Sequence, residues 1–124
     1  MKMREATIST LNDAVEALRQ GGPVRLRSLP FASTSLGAAG FQAIIAAART
    51  AVPDVEAEAV LDCGDAPGHV LGALRMGLEA VSVAASDEIL IRLADIAAQT
   101  GARIYRNDSG VLHAILPPTD QTIH

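Results

Sequence analysis

The segment between residues 62 and 69 holds most of the side chains in this sequence that could carry out chemistry. Within it lie two carboxylates, one thiol and one imidazole: Asp62, Asp65, Cys63 and His69. A carboxylate or an imidazole can transfer protons, and a thiol can act as a nucleophile once it is ionised. We therefore take Asp62, Cys63 and His69 as candidate catalytic residues. Asp65 is a candidate ligand-binding residue.

Each of these residues also has an ordinary structural explanation. Asp62 ends a predicted strand, where Asp commonly forms a turn with its own backbone, and Asp65 precedes Ala66-Pro67, a natural helix N-cap position. A lone Cys63 without a neighbouring base behaves as a small core residue. His69 can be solvated in the first turn of a helix. The segment is therefore a candidate site, and turn formation, capping and core packing are the commoner roles of such residues.

Hydroxyl side chains precede two other predicted helices and form a second set of candidate ligand-binding residues. They are Ser33, Thr34, Ser35 and Ser86. Backbone N–H groups at a helix N-terminus attract anions, and nearby hydroxyls can add hydrogen bonds. The same residue types are favoured as N-caps, which is the alternative explanation for all four.

Alternating strand and helix patterns place these residues in a fold. Period-2 or apolar runs predict strands near residues 6–9, 24–29, 57–62 and 80–85, and period-3.6 patterns predict helices over 10–20, 36–50, 67–76 and 86–97. Residues 103–106 and 111–116 flank an Asn-Asp-Ser-Gly turn and predict a C-terminal hairpin. The alternation of apolar and charged residues over 24–29 predicts a strand with one wet face, near a sheet edge.

This order predicts an α/β fold, a three-layer αβα arrangement with a mostly parallel sheet of about five strands and a C-terminal hairpin. We expect one domain over residues 1–116 and a loose tail over 117–124. Open α/β sheets bind ligands beyond the carboxyl ends of their strands. The loops at 28–35, 62–69 and 84–87 all lie at that edge.

Composition excludes several classes of function. Aromatic residues make up 2% of the chain and the net charge is −4, so neither base stacking nor phosphate attraction favours nucleic acid as a partner. The single cysteine and the lack of a leader-like start favour the cytoplasm, and no apolar run approaches the roughly 20 residues that span a membrane. Nucleotide-binding and common hydrolase motifs are absent, no metal site is predicted, and any cofactor is unknown.

Short stretches resemble one enzyme family. LDCG at 61–64, ALRMG at 73–77 and VSVAAS at 81–86 together resemble a βα unit of class II, metal-dependent aldolases. The resemblance implies proton transfer by Asp62 and puts Cys63 where that family has a zinc-ligand histidine. His69, His113 and His124 do not match the family's other ligands, and the chain is shorter than the roughly 250 residues of a (β/α)8 barrel.

Two functional hypotheses follow. In the first, the chain is a binding or regulatory module that self-associates and holds a small anionic ligand at the carboxyl edge of its sheet. Self-association is expected because the predicted helix over 36–48 is apolar nearly all round. In the alternative, the chain is a small enzyme acting on a carbonyl or carboxylate compound, with Asp62 as acid or base and Cys63 or His69 assisting.

Overall fold

The computed structural model describes residues 3–117 and confirms a mixed α/β fold with a mostly parallel, curled sheet and a C-terminal antiparallel hairpin. Strands and helices alternate as the sequence predicts, with one additional short helix. The elements are β1 Arg4–Thr7, α1 Leu11–Arg19, β2 Val24–Arg27, α2 Ala32–Ser35, α3 Gly37–Ala51, β3 Ala57–Asp62, α4 Pro67–Arg75, β4 Ala80–Val83, α5 Asp87–Ala98, β5 Arg103–Asp108 and β6 Val111–Ile115.

The six strands lie in the sheet in the order of the chain. Strands β1 to β5 are parallel, and β6 pairs antiparallel with β5. The predicted parallel pairing of the strands near 24–29, 57–62 and 80–85 is therefore confirmed. The first of these, β2, lies next to the edge strand β1, near a sheet edge as expected, but it is paired on both sides. Its alternating charges reflect a polar sheet face.

The helices pack against one side of the sheet. Buried residues of α1, α3, α4 and α5 form one core cluster with every second strand residue, including Leu26, Leu61, Val83 and Ile104. We call this side of the sheet the helix face. Right-handed crossovers between consecutive neighbours carry successive helices to the same side. The other side, here called the open face, carries most of the charged strand residues and a small cluster of Val60, Ala80 and Tyr105.

Helix termini differ from the predicted caps in two places. The Ser86 hydroxyl accepts a hydrogen bond from the Ile89 N–H and caps α5, as predicted. Asp65 does not cap α4, because the N-cap residue is Ala66, which makes no side-chain cap. Ser33, Thr34 and Ser35 do not cap α3 either, since the chain forms the short helix α2 there and α3 begins after Leu36.

Two further findings concern the C-terminal tail and membrane-spanning helices. Residues 118–124 of the predicted tail lie outside the described residues. No helix among residues 3–117 is long and apolar enough to cross a membrane.

Candidate functional site

A cleft of about 310 Å³ opens at the carboxyl ends of the strands on the open face. Its lining comes from β1, β2 and its following loop, β3, and the terminal hairpin: Thr7, Arg27, Ser28, Pro30, Asp62, Asn107 and Gly110. This is the edge at which the sequence predicts a ligand site. The curl of the sheet creates the cleft, because it brings the hairpin turn over the end of β2, where the Arg27 guanidinium donates to the Gly110 carbonyl at 2.7 Å.

Asp62 lies in the wall of the cleft and is 7% exposed. One carboxylate oxygen accepts from the Phe31 and Gly64 N–H groups at 2.7 and 3.2 Å. The other accepts from the Ser82 hydroxyl at 2.8 Å and from Asn107 Nδ2 at 3.3 Å. Each oxygen therefore accepts from two donors, which leaves this side chain little capacity to accept further hydrogen bonds.

The hydrogen bonds of Asp62 set the shape of the cleft mouth. Phe31 has a left-handed backbone with φ of 59°, which is uncommon for a bulky residue, and its N–H is held by Asp62. Gly64 is also left-handed, and a side chain there would collide with the Phe31 ring. Asp62 therefore ties together the loops after β2 and β3.

Arg27 is the cation of the cleft. Within residues 3–117, the Arg27 side chain donates hydrogen bonds only from Nη1, to the Glu5 carboxylate at 3.1 Å and to the Gly110 carbonyl. Its neighbour on the same face, Arg25, uses all three nitrogens, donating to Glu58, Glu5 and the Tyr105 hydroxyl. Arg27 consequently keeps the N–H groups of Nε and Nη2 unused, whereas Arg25 has already used its Nε and one N–H on each Nη nitrogen.

The remaining polar groups of the cleft divide unevenly between donors and acceptors. The Ser28 hydroxyl both accepts from the Asp62 N–H and donates to the Leu29 carbonyl. The Asn107 side-chain oxygen accepts from the Gly110 N–H, while its side-chain nitrogen, Nδ2, donates one hydrogen bond to Asp62. Within the described part of the chain, the Thr7 hydroxyl makes no hydrogen bond. What remains for a ligand is mainly donors: Arg27, Thr7 and one Asn107 N–H.

Cys63 and His69 lie on the other side of the sheet from Asp62. Successive strand residues point to opposite faces, so Cys63 turns into the core, where it is 1% exposed. Burial raises the pKa of the Cys63 thiol to about 11, with the Asp62 charge adding to this and a Ser33 hydrogen bond opposing it. Ser33 Oγ lies 3.0 Å from His69 Nδ1. The structure thus brings Cys63, Ser33 and His69 together, apart from Asp62.

The other predicted ligand-binding residues do not line the cleft. Thr34 and Asp65 are exposed, and Ser86 caps α5. Ser35 lines a separate cavity of about 150 Å³, beside Leu29 and Leu36. Among residues 3–117, no group of three or more His, Cys, Asp or Glu side chains could hold a metal ion.

Sequence reasoning did not single out Arg27, Asn107 or Phe31. For Arg27 a signal existed, since its alternation with Leu26 already predicts a charged side chain on the polar face of a strand. Asn107 reaches the cleft through the curl of the sheet, and Phe31 donates its backbone N–H to Asp62 beside it. The local sequence around these two residues predicts neither contact.

The chain was also compared with known proteins. No family model, no curated protein and no solved structure matches it.

Proposed function

We propose that this chain is a binding module that holds a small anionic ligand in the cleft at the carboxyl edge of its sheet. The observation that carries the proposal is Arg27, a half-buried guanidinium with unused donors at the wall of a concave polar cleft. Guanidinium groups with free N–H pairs suit the oxygen geometry of carboxylates and phosphates.

The balance of polar groups in the cleft supports an anion over a neutral or cationic ligand. Both oxygens of Asp62 are occupied by donors, so this carboxylate offers little to an incoming hydrogen-bond donor. Arg27, Thr7 and Asn107 supply donors around the same space. An oxyanion would satisfy several of them at once, and partial exclusion of water would strengthen its attraction to Arg27.

The enzyme alternative, with Asp62 as acid or base, has one observation in its favour: Asp62 lines the cleft. Its four hydrogen bonds favour a positioning role, because a proton-transfer group must present a free lone pair to the substrate. Cys63 and His69, the two residues proposed to assist Asp62, are poorly placed to do so. Cys63 is buried and its thiol has a raised pKa, and His69 contacts Ser33. The binding module is therefore the better supported of the two.

Self-association is the second part of the proposal, and a cytoplasmic location the third. The exposed side of α3 consists of small residues, chiefly Ala39, Ala43, Ala46 and Ala47. Such a side has few polar groups to favour contact with water. The location rests on the free, buried Cys63, which suits a reducing compartment.

The test of ligand binding compares Arg27→Gln with Arg92→Gln. Both variants lose one positive charge, but Arg92 lies on the exposed side of α5, paired with Glu88. Phosphate and oxalate are titrated at constant ionic strength while backbone amide shifts are followed by NMR. We expect saturable shifts at Thr7, Arg27, Asn107 and Gly110 in the wild type and in Arg92→Gln, weakened about tenfold or more in Arg27→Gln. Equal binding by both variants, or no binding to the wild type, refutes the proposal.

A further inference from the structure

The last strand, β6, forms one edge of the sheet. Among the described residues it pairs only with β5. Its sequence, Val-Leu-His-Ala-Ile over 111–115, contains no Lys, Arg, Asp, Glu or Pro. Val111, 58% exposed, is the most exposed large hydrophobic residue in the described part of the chain. An uncharged apolar edge strand is a ready template for pairing with a further strand.

The opposite edge, β1, is built differently. Its residues include Arg4 and Glu5, and the Arg4 guanidinium donates to the Ala17 and Gly21 carbonyls at 2.9 and 2.6 Å. Charged side chains along an edge oppose the approach of another strand. Within residues 3–117, the edge strand β6 has no Lys, Arg, Asp or Glu, in contrast to β1.

Two grooves with mixed linings flank β6: Arg103 lies in one, and Asp87 and Arg106 lie in the other, beside apolar residues. One of about 630 Å³ runs between β6 and the end of α5, with Ala94, Ala98 and Ile115 in its lining. A second of about 380 Å³ includes Leu90 and Ile91 of α5. A strand added to β6 would carry side chains toward these grooves, so that backbone pairing and apolar burial would occur together.

A second copy of this chain fits the edge better than an unrelated charged segment does. When β6 pairs antiparallel with its own copy about a two-fold axis at His113, Val111 faces Ile115 and Leu112 faces Ala114 of the copy. The two His113 side chains face each other at the axis, the other pairs join apolar residues, and no acidic side chains meet, although the whole chain carries a net charge of −4. A two-fold interface needs only this kind of self-complementary surface.

We propose that two copies of this chain associate through β6, joining their sheets into one continuous sheet. The inference rests on the proposed self-association and assigns it to a surface. The exposed side of α3 is the competing surface, but its alanine side chains bury little area and its backbone hydrogen bonds are already used within the helix. The β6 edge offers both large apolar side chains and strand pairing.

The test measures mass by sedimentation equilibrium from low micromolar to submillimolar concentration. Ala114→Lys places a cation on the exposed β6 edge, and the matched control, Ala43→Lys, places one on the exposed side of α3. We expect a dimer for the wild type and for Ala43→Lys, and a dissociation constant raised at least about tenfold for Ala114→Lys. Circular dichroism and thermal unfolding verify that both variants are folded.

The possible results separate the two proposals. A dimer that persists in Ala114→Lys but dissociates in Ala43→Lys overturns the β6 interface and leaves self-association in place. A wild type that is monomeric throughout overturns self-association as well, including the case in which the chain's own C-terminal residues cover β6. Amide hydrogen exchange that slows in β6 with rising protein concentration is the expected second signature, and concentration-independent exchange there refutes the inference.

Discussion

The two ends of the open sheet face use charge in different ways. Toward the start of the strands, Glu58 accepts hydrogen bonds from Arg25, Arg103 and Tyr105, and the Arg25 guanidinium also lies 4.7 Å from the centre of the Tyr105 ring. We call these four residues the Glu58 network. At the carboxyl ends of the strands, Asp62 is equally well bonded, but Arg27 beside it is not.

The difference distinguishes a structural charge cluster from a candidate site. In the Glu58 network, every guanidinium nitrogen of Arg25 already has a partner within the sheet, so these contacts serve chiefly to stabilise the sheet. In the cleft, the fully bonded Asp62 fixes the walls while Arg27 keeps donors available. Walls fixed by the fully hydrogen-bonded Asp62, beside a cation with unused donors, are the arrangement expected of a preorganised binding site.

The largest expected effect comes from breaking the Glu58 network. Replacing the buried Glu58 with Ala leaves the Arg25 charge without one of its two carboxylate partners and removes the acceptor for the Tyr105 hydroxyl. Because loss of one partner strands a desolvated charge, we expect a loss of about 3 kcal/mol in the free energy of unfolding. Urea denaturation measures it. A loss under about 1 kcal/mol would mean that the network contributes little to the fold.

Replacing Asp62 with Asn should have a smaller but still large effect. The new amide nitrogen cannot accept a hydrogen bond, so donors from the loops after β2 and β3 or from the side chains lose a partner, at a cost of about 1–3 kcal/mol. Anion binding should weaken because the cleft walls lose their anchor. Urea denaturation and phosphate titration check the two effects.

Asp65→Asn serves as the control for this variant, since Asp65 is exposed and makes no cap. Its expected change in the free energy of unfolding is within about 0.5 kcal/mol. If the Asp62 variant were as stable as this control and still lost all binding, a direct role of Asp62 toward the ligand would replace the positioning role.

The smallest effect concerns Glu5, which links the two ends of the open face by accepting from both Arg25 and Arg27. Burial tends to raise the pKa of Glu5, but the hydrogen bonds and charges of the two arginines outweigh it and hold the pKa below its usual 4.5. The stabilisation by Glu5 is therefore complete above pH 4.5 and is lost as the pH falls through the lowered value.

Glu5→Gln should accordingly lessen the decline in thermal stability below pH 4.5, by no more than the contribution of an exposed ion pair, about 1 kcal/mol or less. Near neutral pH the same change should strengthen phosphate binding several-fold, because Arg27 loses a competing anion. Thermal unfolding across pH and phosphate titration test the two parts. Weaker phosphate binding would contradict the assignment of Arg27 as the anion-binding group.

The fold was largely predictable because its signals are local. Gly and Pro punctuation and the periods of 2 and 3.6 identify the strands and helices within a few residues, and the parallel pairing follows from the alternation. The pairing of β2 on both sides was not predictable from its wet face, since a polar sheet face and a sheet edge produce the same alternating pattern.

The candidate site was only partly predictable. The edge of the sheet and the importance of the loop at Asp62 follow from topology, and Asp62 does line the cleft. The grouping of Asp62 with Cys63 and His69 treated neighbours in sequence as neighbours in space, although side chains alternate between faces at a strand end. The contacts of Asp62 with Asn107 and Phe31 depend on long-range curvature, which no short pattern encodes.

The contact between Arg27 and Gly110 has a consequence for how binding and folding are linked. The two residues are 83 positions apart, yet both line the cleft. The cleft therefore exists only in a chain whose second strand and final hairpin have both reached their native places, and partially folded forms lack it. A ligand bound there adds its binding free energy to the stability of the complete fold alone, so the anion should raise the melting temperature and favour molecules whose C-terminal hairpin is closed.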